Sequence, residues 1–234
     1  MASLLTQVNR GTKKLLVSSG LPASHFLDSF AQLLRLSSFI RAEKLLEVTT
    51  FADRPELHAY VVNHVLKNDP VDYLEFGVYQ GESIQMWTQL STNAESRFFG
   101  FDSFEGLPEN WRQGASTLPA GHFSTGGTLP QIDDQRVQFI KGWFQDTLEG
   151  FAAGFQPRNR LVLHLDADLY SSTLFVLAVL SRFLVPGSVL IFDEFSRVTG
   201  EFKALTDYAT SFKKRIEPVA CSGAFCEQAA FEVL

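Results

Sequence analysis

The chain has 234 residues, 22 of them Phe, and a formal charge of −6. That length suits one domain with additions and supplies ample material for a core. The negative charge gives no electrostatic case for nucleic acid, which asks for a basic face, and no uncharged apolar run approaches the length of a membrane span.

Residues 1–20 read as a polar lead-in. Arg10, Lys13 and Lys14 follow the short Leu4-Leu5 patch instead of preceding a long apolar run, so no signal peptide is indicated and a cytoplasmic protein is expected. From residue 23 to 48 apolar residues recur at helical spacing, and Pro55 starts a further helix that runs to about residue 66. Residues 1–69 are therefore expected to form an N-terminal helical extension, covering a sheet edge or lidding the site. Its Phe26, Phe30, Leu33 and Leu34 stripe is either a homodimer surface, if exposed, or a face packed on the chain's own sheet.

Residues 70–234 alternate between short apolar runs and helical patterns. Strands are expected over 71–76, 97–102, 137–140, 161–166, 188–192, 216–220 and 229–233. Helices are expected over 81–90, 144–151, 172–184 and 200–212. The long irregular stretch 103–130 holds five Gly and three Pro and is expected to wall an active site, with Trp111 at the pocket mouth. Cys221 and Cys226 lack zinc-site spacing and are read as two free thiols of a cytosolic protein, the alternative being a hairpin disulfide that needs an oxidising compartment. The pattern is that of an α/β domain, a mostly parallel seven-stranded sheet with helices on both faces.

Right-handed crossovers bring every parallel strand's carboxyl end to one edge. On that edge fall Glu75, Asp102, Asp166 with Asp168, and Asp193 with Glu194. Four strands ending in acids indicate a shared polar crevice, where ligands bind in open α/β sheets. The turn Glu75-x-Gly77-x-x-x-Gly81 lets a ligand approach the backbone at a helix start, and it carries an acid and no basic residue. Asp102 follows Gly81 by 21 residues (102 − 81), about where an acid grips ribose hydroxyls. Adenosine joined to an amino-acid cation describes S-adenosylmethionine. Asp166 and Asp193 lie 27 residues apart (193 − 166), one crossover, and end neighbouring strands. With Glu194 they offer three hard oxygen ligands for Mg²⁺, Ca²⁺ or Mn²⁺. Asp168 is read as shaping the turn. His164 shares a strand face with Asp166 and is placed either to orient it or as a satisfied core residue. His122, in the long loop, is an alternative base.

Five blocks in order carry a family resemblance: Glu-Phe-Gly-Val-Tyr-Gln-Gly-Glu-Ser at 75–83, Gly-Phe-Asp-Ser-Phe-Glu-Gly-Leu-Pro at 100–108, Gly-Trp-Phe-Gln-Asp-Thr-Leu at 142–148, His-Leu-Asp-Ala-Asp-Leu-Tyr-Ser-Ser-Thr at 164–173 and Phe-Asp-Glu-Phe at 192–195. Over roughly residues 70–212 the chain resembles the macrocin/mycinamicin O-methyltransferase-like group of class I methyltransferases. The resemblance implies a Rossmann-like fold, S-adenosylmethionine as donor, Mg²⁺ dependence, and a small-molecule acceptor bearing a hydroxyl, on a sugar or related natural product. It implies that Glu75, Gly77 and Gly81, with Tyr79 and Ser83 of the same loop, hold the methionine end. Asp102 would hold the ribose, while Ser103, Phe104, Gly142, Trp143 and Phe144 flank the adenine. It places the metal on Asp166, Asp193 and Glu194, with Asp166 next to the donor and acting as base. The group often carries Asp at the position of Glu194, and the N-terminal part matches it poorly. Two rival readings stand beside this one: a metal-dependent glycosyltransferase using Asp166-x-Asp168, and a non-catalytic nucleoside-binding domain.

Overall fold

The computed structural model describes residues 25–113 and 116–234. Helix α1 (His25–Ala42) leads through a 3-10 turn (Leu45–Glu47) to strand β1 (Thr49–Phe51) and helix α2 (Arg54–Tyr60), which runs on as a π-helical segment (Val61–Val65). Asp53 caps α2, its Oδ1 accepting from the Glu56 amide at 3.0 Å, and Pro55 sits in the first turn.

Then follow β2 (Val71–Phe76), α3 (Glu82–Leu90) and β3 (Arg97–Asp102). A small hairpin, β4 (Trp111–Gln113) and β5 (Ser116–Leu118), interrupts the long connection to β6 (Val137–Lys141). The rest is α4 (Phe144–Gly154), β7 (Arg160–Leu165), α5 (Tyr170–Leu180), β8 (Val189–Phe192), α6 (Glu201–Phe212), β9 (Ile216–Ser222) and β10 (Gln228–Val233).

The main sheet has eight strands in the order β1-β9-β10-β8-β7-β2-β3-β6. The block from β8 to β6 is parallel, and β10 runs antiparallel between β8 and β9. All seven expected strands are present. The eighth, β1, pairs in parallel with the end of β9, Thr49 opposite Ala220. Helical periodicity alone carried the sequence reading through residue 48. Thr49, Thr50 and Phe51 are β-branched and aromatic, as strand residues commonly are, but Thr50 meets Cys221 171 residues further on.

Both faces of the sheet are covered. On one, Leu148, Leu177 and Phe202 of α4, α5 and α6 pack on Leu74, Phe101, Leu163 and Phe192. Phe39 of α1 joins this face, its ring centroid 5.6 Å from that of Phe202. On the other, Leu57 and Val61 join Ile84 and Trp87 against Tyr73, Val162 and Ile191. The described part of the N-terminal extension thus contributes to both cores. Leu33 and Leu34 of α1 remain more than half exposed, while the Phe26 side chain lies outside the described residues. Among the described residues no helix is long and apolar enough to cross a membrane.

One expectation is corrected: Cys221 and Cys226 form a disulfide across the β9–β10 turn, with Cα atoms 5.1 Å apart. The free-thiol reading rests on the expected compartment, and the hairpin disulfide is its alternative. The two residues belong to a hairpin whose turn brings them together.

Candidate active site

The order of strands reverses at β2. Its first crossover leads to β3 on one side, and the chain later returns to β7 on the other. Crevices form at such switch points, outside the strand ends. Here Gly77 follows β2 with φ +94°, and a Cβ built on it would stand 1.9 Å from the Asp166 carbonyl oxygen. Only glycine lets the two strand ends approach this closely.

Asp102 closes the same turn. Its Oδ2 accepts from the Val78 and Tyr79 amides, both at 2.8 Å, and its Oδ1 from the Phe104 amide at 2.7 Å. A carboxylate offers about four lone-pair sites, so about one remains for a hydroxyl in the crevice. The crevice encloses a cavity of about 330 Å³, of ligand-site size. Of the residues expected to hold the donor, Gly77, Tyr79, Ser83, Asp102 and Ser103 line it, and Gly142, Trp143 and Phe144 line it from the start of α4. Trp111 and Phe123 wall it from the long connection, as expected of that stretch.

Four expected residues stand off the lining, each for a visible reason. Glu75 is buried below the floor, where its Oε2 accepts from the Tyr73 hydroxyl at 2.5 Å. Its Oε1 is buried with no hydrogen-bond partner among the described residues. Gly81 opens α3 with φ +83° and packs against Pro130, where a Cβ would come within 2.8 Å. The Phe104 ring is buried edge-on to Phe139. His122 is exposed on the loop, its ring edge against Phe123.

Asp166 and Asp193 also line the cavity, at the ends of β7 and β8. A guanidinium lies between them: Arg54 Nη1 is 3.4 Å from Asp166 Oδ2 and 3.2 Å from Asp193 Oδ1. Behind them His164 is fully buried, with Nε2 3.7 Å from Asp193 Oδ1 and Nδ1 2.7 Å from the Tyr73 hydroxyl. The single Tyr73 proton goes to Glu75, so Nδ1 donates to the Tyr73 oxygen. Burial alone would lower the His164 pKa, but Asp193, Glu75 and Asp166 outweigh it and raise it to about 9. Burial likewise opposes ionisation of Asp193, yet His164 and Arg54 hold it at about 2. Asp166 goes the other way, pushed up by burial and then by the charge of Asp193. His58 completes the buried set, accepting from Trp87 Nε1 at 2.7 Å, with its pKa driven down by burial and by His164.

Asp166, Asp193 and His164 can bring ligand atoms within 4.8 Å of one another. Glu194, expected as the third metal ligand, lines the cavity, but its Oε2 binds Arg197 Nε at 2.7 Å. Asp168 shapes the turn as expected, with φ +59°. It also faces the cavity, and burial with the charges of Glu194 and Asp193 pushes it up to about 7. Arg54 had no signal in the sequence, because it comes from the extension and not from a strand end. Tyr73 was legible by the two-residue period it shares with Glu75.

Glu201, at the start of α6, is fully buried. Its Oε2 accepts from the Glu194 amide at 2.8 Å and its Oε1 has no hydrogen-bond partner among the described residues. Burial, then the charge of Asp166, raises its pKa well above 4.5. The folded chain therefore holds this proton above pH 4.5 where the unfolded chain releases it, and stability falls as pH rises through the folded pKa. Urea unfolding of metal-free protein at about pH 5, 6.5 and 8 should show a shallower loss of stability in Glu201→Gln than in wild type. Parallel curves would mean that Glu201 does not titrate differently in the two states.

The sheet order, the glycine turn after β2 and the terminal acid of β3 define the class I methyltransferase (Rossmann-like) fold. The solved O-methyltransferase NovP shares it at TM-score 0.59 and 22% identity, over 76% of this chain and 78% of that one. An O-methyltransferase from Bacillus cereus, solved in complex with SAH, shares it at TM-score 0.53 and 14% identity, over 94% and 96%. The family model for macrocin-O-methyltransferase (TylF) matches residues 128–225 and bears out the resemblance. Among curated relatives, the 8-demethyl-8-(2,3-dimethoxy-alpha-L-rhamnosyl)-tetracenomycin-C 4'-O-methyltransferase of Streptomyces olivaceus is 33% identical over 156 residues, 58% of each chain. The chain spans about three fifths of the length of the curated relatives it matches.

Proposed function

We propose that the chain is an S-adenosylmethionine-dependent O-methyltransferase acting on a hydroxyl of a sugar or related natural product. The observation that carries this reading is the crevice between β2 and β7, with Gly77 against the Asp166 backbone and Asp102 at the end of the next strand. Its lining includes six acids, Glu82, Asp102, Asp166, Asp168, Asp193 and Glu194, which suits a cationic donor. The SAH complex of the Bacillus cereus neighbour and the rhamnosyl acceptor in the name of the Streptomyces olivaceus relative support donor and acceptor class.

When bound, the donor supplies a methyl group on a sulfonium, and a hard divalent cation, with Mg²⁺ the first candidate, supplies charge that acidifies a hydroxyl. The Asp166–Asp193 pair fits such a cation by its chemistry, two carboxylates on one wall of a cavity. The chain's own part is then positioning and proton transfer. Gly77 opens the floor, Asp102 fixes a ribose hydroxyl, Trp111 and Phe123 exclude water, and Asp166 accepts the acceptor's proton. Asp168, facing the same cavity, is the second candidate for that proton, ahead of the exposed His122.

The glycosyltransferase reading leaves the Gly77 turn and Asp102 without a role. Incubation with methyl-labelled S-adenosylmethionine and a panel of rhamnosides separates the two. Label on an acceptor oxygen is expected. Glycosyl transfer from a nucleotide sugar, with no label moved, would overturn the proposal.

A further inference from the structure

Among the described residues Arg54 is the one Lys or Arg on the cavity lining, and it sits on the two carboxylates that the methyltransferase reading gives to a metal. It is carried on an anchored helix. Asp53 caps α2, and Leu57, His58 and Val61 of its continuation are fully buried. The side chain itself is looser. A single nitrogen reaches both acids at 3.2 and 3.4 Å, with the side chain 30% exposed. Arg97 shows what a committed pair looks like in the same molecule: Nε at 2.8 Å and Nη2 at 2.6 Å from the two oxygens of fully buried Asp72. Arg197, a nearby arginine, is tied to Glu194.

We propose that Arg54 is the exchangeable counter-ion of Asp166 and Asp193: it neutralises the pair in the metal-free chain and gives way to a divalent cation at the same oxygens. A divalent cation at Asp166 Oδ2 and Asp193 Oδ1 would repel the guanidinium that lies against those same oxygens. Without either of them, the two acids would face each other across the cavity wall with His164 behind them. Arg54 then sets how tightly a metal must bind to displace it. This rests on the reading of Asp166 and Asp193 as metal ligands, and the test keeps the two ideas apart.

The experiment is a Mn²⁺ titration of the full chain, without donor or acceptor, followed by the paramagnetic signal of the free ion. Arg54→Gln should bind about tenfold tighter than wild type, about 1.4 kcal/mol, because the competing charge is gone. Arg54→Lys, which keeps the charge, should fall between them, and adding Asp193→Asn to Arg54→Gln should cancel the gain. Equal or weaker binding by Arg54→Gln overturns the counter-ion role while leaving the metal reading intact. No binding to any variant overturns both. Should Arg54→Gln fold poorly, the arginine side-chain NMR signals of wild type supply the second reading. One of them must move when Mg²⁺ is added, and unchanged signals overturn the exchange.

Discussion

Asp166→Asn should lower kcat by about a thousandfold, within the range lost with a general base or a metal-held nucleophile, while SAH affinity stays within about threefold of wild type. The reason lies in how the residue is held. Its amide donates to the Phe76 carbonyl at 3.0 Å, and its carbonyl oxygen faces Gly77. Neither depends on the side chain, so an isosteric amide keeps the strand end in place. What it loses is a carboxylate able to take a proton or hold a cation. Asp193→Asn should lower kcat by a similar factor and also destabilise the fold by about 3 kcal/mol, because it strips a buried charge of its partners. His164, fully buried, would lose the carboxylate 3.7 Å from its Nε2, and Arg54 one of its two acids. Turnover at saturating donor, calorimetric SAH titration and urea unfolding measure the three quantities. An Asp166→Asn chain that keeps more than about a tenth of wild-type turnover would remove this carboxylate from the chemistry.

Gly77→Ala should be the most damaging single methyl in the chain. Left-handed backbone costs an alanine about 1–3 kcal/mol, and forcing a methyl into filled space about as much again. At φ +94° with a carbonyl oxygen 1.9 Å from the new Cβ, neither cost can be relaxed without parting β2 from β7. A loss of about 3–5 kcal/mol is expected, with SAH binding lost as the crevice is displaced. Gly150→Ala is the control: it lies within α4, nothing stands within 4 Å of its added Cβ, and its φ is outside the positive range. There the same change should stabilise by about 0.5–1 kcal/mol. Equal effects at the two sites would mean that the contact between Gly77 and Asp166 is not as close as described.

Much of the crevice could be read in advance because it is built from strand ends. Apolar runs locate Phe76, Asp102, Leu165 and Phe192, and one crossover handedness puts their carboxyl ends together. Asp102, Asp166 and Asp193 then converge by topology. Side-chain commitments could not be read this way. Glu75 and Glu194 occupy the expected backbone positions, but a nearby donor engages one oxygen of each, Tyr73 for the first and Arg197 for the second. Arg54 was invisible for a different reason. It reaches Asp166 across 112 residues of sequence, from a helix whose own pattern speaks only of core and cap. β1 was missed for the same reason, because pairing with β9 is what makes its three residues a strand.

The central claim is that the crevice between β2 and β7 is a methyl-donor site, and calorimetric titration of SAH into wild type and Asp102→Ala tests it most directly. The account predicts saturable one-to-one binding by wild type, weakened about tenfold or more in Asp102→Ala, where a charge-assisted hydrogen bond to the ribose is removed and the amides of Val78, Tyr79 and Phe104 lose their acceptor. Heat from a UDP-sugar with none from SAH, or SAH binding that ignores Asp102, would contradict it.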